Sequence, residues 1–187
     1  MPIHDPENTP LILNTVKRLK PKSLLDIGCG SGSYGVLFRD ILDRMRSRYH
    51  KKDWLVRIDA IDIWPDYFTP VHEYIYDTVR SFDIREIAFG RWPGDLLEEY
   101  DVIFMGDVIE HLDEEEGVEI LKLLIEQQPD ASIVISTPVT PYKQGAYRGN
   151  IYEAHRSIWT PEDLTKLGFE VLTKGPQNVL ITAVRRS

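Results

Sequence analysis

The sequence predicts an α/β protein: a three-layer sheet of about seven strands, the last one antiparallel, with helices on both faces. Three observations carry that expectation. Apolar runs of strand length recur at Leu24–Ile27, Leu55–Ile61, Asp101–Met105 and Ser132–Ser136, and such near-continuous runs suit strands buried on both faces. Segments with apolar residues at helical spacing lie between them, as expected of parallel strands joined by helical crossovers. Two closing runs, Phe169–Thr173 and Val179–Val184, are split by the turn residues Gly175-Pro176-Gln177-Asn178 and read as an antiparallel hairpin.

With 187 residues the chain is long enough for one domain with a substantial core, spanning 1–187. At 42% hydrophobic and 28% charged it has the balance of a soluble globular protein. No apolar run reaches membrane-spanning length, and the N-terminus lacks a basic-then-apolar signal layout, so no membrane partner is expected. The single cysteine, Cys29, excludes an internal disulfide and makes a reducing cytoplasm the expected location. The net charge of -8 argues against a broad nucleic-acid-binding surface while leaving room for a local basic patch.

In chain order, Thr9 and Pro10 form an N-cap and N1 pair, and Ile12, Val16 and Leu19 share one helical face that Pro21 ends. Val36, Leu37, Phe38, Ile41, Leu42 and Met45 repeat at helical spacing and predict a helix to about Ser47. The basic stretch from Arg44 to Lys52 reads as a solvated helix end and linker. Trp64 and Pro65 open a further helix, Thr78–Phe82 is a short third strand, and Gly90 to Gly94 is a loop. Asp113 caps a helix whose first turn holds Glu114, Glu115 and Glu116, with Val118, Leu121, Leu124 and Ile125 as its buried face. Thr160-Pro161-Glu162-Asp163 starts the last helix and Gly168 ends it.

The stretch Asp26-Ile27-Gly28-Cys29-Gly30-Ser31-Gly32-Ser33-Tyr34-Gly35 links the first strand to the helix after it. Strand, glycine turn and helix bring backbone close to a nucleotide. Two ligands compete for it. From Gly30 the letters match G-x-G-x-x-G, the dinucleotide fingerprint. From Asp26 they give Asp-x-Gly-x-Gly-x-Gly, which resembles motif I of the class I S-adenosylmethionine-dependent methyltransferases. A carboxylate just ahead of the first glycine would repel a pyrophosphate and suits a ligand carrying an ammonium and a sulfonium. The second reading is therefore preferred. Behind the fourth strand, Asp107-Val108-Ile109-Glu110-His111-Leu112 resembles the matching motif of the group that includes ubiquinone-pathway O-methyltransferases. The resemblance covers nearly the whole chain. It implies a Rossmann-like sheet, S-adenosylmethionine as cofactor, and in-line methyl transfer to an oxygen or nitrogen of a small-molecule acceptor.

On that resemblance Gly28, Gly30 and Gly32 would hold the cofactor by backbone, with Asp26 at its methionine end, Asp83 near the adenine amino group and Asp107 near the methyl. Asp62 ends the second strand, where ligands sit in open α/β sheets. It reads as the acceptor for both ribose hydroxyls or as a helix-capping Asp. Ile63 or Trp64 would cover an adenine face, and Cys29 reads as a packing residue.

An oxygen nucleophile must lose a proton, and His111 and His155 are the candidate bases; the alternative for each is a structural histidine bonded to backbone. His4, His50 and His72 have no motif context. Asp107, Glu110 and His111 share one face if the segment is helical, and with His155 would suit a divalent ion. A similar Glu-x-x-Glu-His pattern occurs in the small-RNA 3′-end 2′-O-methyltransferases, with Asp107 here replacing the first Glu. The expectation is nonetheless a metal-free centre. Val139 to Trp159 is long, irregular and rich in Tyr, Trp, Asn, Gln and His, and is expected to form a lid over the acceptor pocket. The rival functions are a metal-assisted RNA-terminus methyltransferase, a non-catalytic S-adenosylmethionine-binding protein and, more weakly, a dinucleotide oxidoreductase.

Overall fold

The computed structural model describes residues 8–92, 99–139, 144–174 and 180–186. The strands are β1 (Ser23–Ile27), β2 (Arg57–Asp62), β3 (Thr78–Ser81), β4 (Val102–Gly106), β5 (Ser132–Pro138), β6 (Glu170–Lys174) and β7 (Leu180–Arg185). They form one sheet in the order β3-β2-β1-β4-β5-β7-β6. The first five are parallel, and β7 runs antiparallel to both β5 and β6. The expected turn at Gly175–Asn178 lies outside the described residues, as do Pro93 and Gly94 of the expected loop. The helices are α1 (Thr9–Leu19), α2 (Ser33–Leu42), α3 (Pro70–Ile75), α4 (Glu114–Gln127) and α5 (Pro161–Lys166). Among the described residues no helix is long and apolar enough to cross a membrane.

Alternation along the central strands builds the three layers. Leu24, Val102, Phe104 and Val134 face one side, where Ile12 and Val16 of α1 and Phe38 and Leu42 of α2 cover them. Leu25, Ile103, Met105, Ile133 and Ile135 face the other, against Ile120, Leu121 and Leu124 of α4 and Leu164 of α5. Each strand is apolar at consecutive positions because both of its faces are buried. In register, Ile27 lies beside both Ile61 and Met105, so β1, β2 and β4 end at one level. The chain order reverses between β1 and β4, the point where open α/β sheets leave a crevice.

Three elements differ from the sequence expectation. The segment at Trp64–Pro65 is a single 3-10 turn over Pro65–Tyr67, and the α-helix starts at Pro70 with a Thr69 cap. In α4 the buried positions are Gly117, Ile120, Leu121 and Leu124, a face rotated from the expected Val118 and Ile125. Helix α2 stops at Leu42, short of Ser47.

Charge stops α2. Asp43 is fully buried and gathers Arg39 (3.0 Å), Arg48 (2.8 Å) and the Leu55 amide (2.9 Å), so the chain must turn around it. Met45, continuing the helical spacing, is 66% exposed as a result. Arg39 is itself 1% exposed. Its guanidinium also donates to Asp77 (2.7 Å) and to the Ile75 and Val56 carbonyls, and it lies 4.3 Å from the centroid of Trp54. Replacing Arg39 with Ala would strip the buried Asp43 carboxylate of one of its three partners and leave two carbonyls unmet. Urea unfolding of R39A should therefore show a loss of about 3 kcal/mol, the low end for breaking a buried charged network. A loss under about 1 kcal/mol would mean that water replaces the guanidinium.

Candidate active site

The carboxyl ends of β1, β2, β4 and β5 open into one cavity of about 620 Å³. Its walls bring together Gly28, Gly30, Asp62, Ile63, Asp83, Asp107, His111 and His155. Of the expected cofactor residues, Asp26 and Gly32 do not line it.

The end of β2 holds the glycine loop. The amides of Gly28 and Cys29 donate to the Ile61 carbonyl at 2.8 and 3.2 Å. The Gly30 amide donates to Asp62 Oδ2, and the Trp64 amide to Asp62 Oδ1, both at 2.8 Å. Asp62 is thus the loop's anchor, and each oxygen keeps a further lone pair for a ligand. His72, which the sequence left without context, is fully buried and completes the clamp. Its Nδ1 accepts from the Thr69 amide, so its Nε2 carries the proton and donates to the Gly30 carbonyl at 3.0 Å. Gly28 has φ +73°, and a Cβ there would meet Val108 Cγ2 at 2.4 Å.

Asp26 lies behind this loop. It is 1% exposed and accepts from the Tyr76 hydroxyl at 2.6 Å. Burial pushes its carboxyl up to about 7, with the Tyr76 hydrogen bond opposing and Asp62 adding to the rise. Gly35, the last glycine of the dinucleotide-like spacing, is needed for this contact: a Cβ on it would meet the Tyr76 ring at 2.4 Å. Burial likewise drives the Cys29 thiol far upward, as suits a packing residue. Asp83 reaches the cavity wall, but Arg85 grips its carboxylate through Nε at 2.9 and 3.0 Å and Nη2 at 2.6 Å.

The other end of the cavity follows β4. Asp107 has φ +54°, unusual for a residue with a Cβ, and its amide donates to the Ser136 carbonyl at 2.8 Å. A 3-10 turn over Ile109–His111 then aims Glu110 and His111 inward. Glu110 is 1% exposed and accepts from the Thr137 hydroxyl at 3.0 Å. Burial, then the Asp107 charge, raises its carboxyl well above the usual range. A carbonyl only accepts, so His111 Nδ1 must donate to Ala154 O at 3.3 Å, and Nε2 is left as the basic nitrogen. Burial lowers the His111 pKa to about 4, keeping the ring neutral. His155 packs on it at 5.0 Å between ring centroids. One ligand atom from each of Glu110, His111 and His155 falls within 4.8 Å of the others; Asp107 is not in that group.

Segment 144–159 holds His155 there. The Glu110 carbonyl accepts from the amides of Arg156 (2.8 Å) and Ser157 (3.1 Å), and Trp159 Nε1 donates to the Ile109 carbonyl at 3.1 Å. Residues 140–143, with Tyr142, lie outside the described residues. The expected lid also extends further than the acceptor end. A tight turn at Tyr147–Asn150, with positive φ at Arg148 and Gly149, carries it across to the residues after β2. There Tyr67 donates to Glu153, Asn150 Nδ2 donates to Tyr67 Oη at 3.1 Å, and Tyr152 meets Trp64 at 6.3 Å between centroids. Tyr67, Asn150 and Glu153 were not singled out from the sequence as site residues. Their only signal there was position: five residues after Asp62 and within five before His155.

No protein-family model matches this sequence, and neither does any curated protein. Solved structures do match. The methyltransferase domain of a bacterial Hen1 aligns with 97% of this chain and 98% of its own at 18% identity and a TM-score of 0.57. DhpI, in its complex with SAM and HEP, aligns with 96% of this chain and 86% of its own at 14% identity and a TM-score of 0.67. The small RNA methyltransferase HEN1 aligns with all of this chain at 17% identity and a TM-score of 0.63, but only 26% of its own length takes part. The fold is therefore that of the class I methyltransferases.

The raised pKa of Asp26 gives a pH signature. Its native value of about 7 exceeds the ordinary 3.8, so between those limits the native state holds the proton more tightly than the unfolded chain. The stability from this group is complete below pH ~4, falls as pH rises to ~7 and is level above. Asp26→Asn keeps an acceptor for Tyr76 without the titration. Thermal melts from pH 4 to 8 should show the wild type losing stability relative to D26N across that window. Parallel profiles would place the Asp26 pKa near its ordinary value.

Proposed function

We propose that this chain is an S-adenosylmethionine-dependent O-methyltransferase acting on a small-molecule hydroxyl, with Glu110, His111 and His155 holding a divalent cation beside that hydroxyl. The observation that carries the reading is their convergence at one end of the cavity whose other end is the glycine loop and Asp62. The backbone there approaches a ligand closely, and Asp62 offers lone pairs to a ribose. Neighbouring folds include methyltransferases, and another neighbour, DhpI, is in complex with SAM.

The donor set fits a cation. It combines two imidazoles and a carboxylate, as first-row divalent ions favour. The Ala154 carbonyl orients His111 so that Nε2 is the ligand atom, and the Thr137 hydroxyl orients Glu110. A cation would also offset the buried Glu110–Asp107 charge. Once bound, it would lower the pKa of an acceptor hydroxyl so that the oxygen attacks at neutral pH. The remaining work is positional: Glu110 and the histidines fix the oxygen, the glycine loop fixes the sulfonium, and the roof excludes water. His111 is a weak base in these surroundings, which favours ligation over the metal-free general base expected from the sequence.

A second reading, methylation of an RNA 3′ terminus, draws on the same cluster and on the Hen1 neighbours. The net charge of -8 and a cavity walled by Asp62, Asp107, Glu110 and Glu153 favour the small acceptor.

The test is a thermal-shift and turnover series on the purified chain. S-Adenosylhomocysteine should raise the Tm and NAD should not. A chelator should abolish turnover, with Mn²⁺ or Mg²⁺ restoring it, and Glu110→Ala should remove the metal response. Stabilisation by NAD alone would overturn the cofactor. Turnover indifferent to chelation would return the proton to His155. Methylation of short RNAs in preference to small hydroxyl compounds would establish the second reading.

A further inference from the structure

The roof segment touches the wrong end of the cavity for a lid that serves the acceptor alone. Its tip does not stop above Glu110 and His111; it reaches the residues that follow Asp62. Glu153 is 7% exposed and lines the cavity. A relay fixes it: Asn150 donates to the Tyr67 hydroxyl, and Tyr67 donates to Glu153 Oε1. Asn150 is pinned in turn, because its Oδ1 accepts from the Tyr152 amide at 2.9 Å. Among the described residues, all hydrogen bonds to Glu153's carboxylate arrive at Oε1. Oε2 is left for the cavity. Tyr67, 86 residues away in the chain, and Asn150, three residues away, hold one oxygen so that the other has a fixed direction.

We infer that Glu153 is a cofactor-binding residue, a second carboxylate at the ribose end that accepts a hydroxyl proton of the nucleoside from the side opposite Asp62. This rests on the reading of the cavity as an S-adenosylmethionine site. The chemistry is selective. Asp62 already accepts a backbone amide on each oxygen, so a ribose with two free hydroxyls gains from a second acceptor. A nucleotide with a phosphate on that ribose would meet two carboxylates and be rejected. The cofactor is thereby part of what closes the roof, and the cofactor alone should order the segment that brings His155 to the acceptor end.

Calorimetry with S-adenosylhomocysteine tests this without any acceptor. The wild type must bind; if it does not, the methyltransferase reading fails and the assignment of Glu153 falls with it. Given binding, Glu153→Ala should weaken affinity about tenfold, the scale of one hydrogen bond to a charged group, with the Tm of the ligand-free protein nearly unchanged. Tyr67→Phe, which frees Glu153 without removing it, should weaken binding less. Wild-type affinity in E153A would overturn the inference. Limited proteolysis of the wild type gives an answer independent of any variant. S-Adenosylhomocysteine by itself should slow cleavage within 144–156. Protection that needs the acceptor as well would make the roof an acceptor lid and exclude Glu153 from the cofactor site.

Discussion

The carboxylate of Asp62 is the constraint on which the site depends. It joins the ends of two strands by accepting the Gly30 amide on one oxygen and the Trp64 amide on the other. Without it the glycine loop would keep the Ile61 carbonyl, the Gly32–Cys29 turn bond and His72, but lose its side-chain tie to the end of β2. A loop with positive φ at Gly28, Gly30 and Gly32 carries a large entropy cost of ordering, so it needs fixed acceptors nearby. The same carboxylate is 7% exposed at the cavity wall. The choice posed by the sequence between a cap and a ribose acceptor is therefore not an exclusive one, because the loop bonds leave the carboxylate at the cavity wall.

The sheet was legible because its signals are local. Leu24–Ile27, Asp101–Met105 and Ser132–Ser136 announce buried strands through their own composition, and β1, β4 and β5 formed there. The α4 start was legible for the same reason, since Asp113 and Glu116 form a capping box within one turn. The end of α2 was not. Met45 continues the helical spacing, and what stops the helix is Asp43 gathering Arg39, Arg48 and the Leu55 amide. That assembly spans 17 residues and has no period.

The site divides the same way. Gly28, Gly30, Asp62, Asp107 and His111 could be read because motif spacing places them at strand ends, and all line the cavity. His155 could be read only as a histidine in an aromatic segment, yet it joins His111 at 5.0 Å. Asp26 shows the limit of motif reading: its charge selected the ligand, but its side chain turns to Tyr76 behind the loop. Asp83 lines the cavity as expected, but its pairing with Arg85 two residues on was not read from the motif. Tyr67 and Glu153 lie 86 residues apart, and nothing in either neighbourhood announces the other.

The charge of the cavity ties these pieces together. Asp62, Asp107, Glu110 and Glu153 all face it or border it, and burial raises the carboxyls of Asp62, Glu110 and Glu153. Uncompensated, they oppose one another and the fold. A cation bound among them would relieve that opposition. For a sulfonium this attraction has a kinetic side. Methyl transfer disperses the sulfur's positive charge, so a carboxylate held close to sulfur stabilises the reactant more than the transition state. A site built for transfer must keep its carboxylates engaged elsewhere. Asp26 is turned to Tyr76, Asp83 to Arg85, and Glu110 to Thr137. Under the proposed reading Asp62 and Glu153 are the acids at the ribose end, where the charge does not change during the reaction, and Asp107 lines the cavity beyond them.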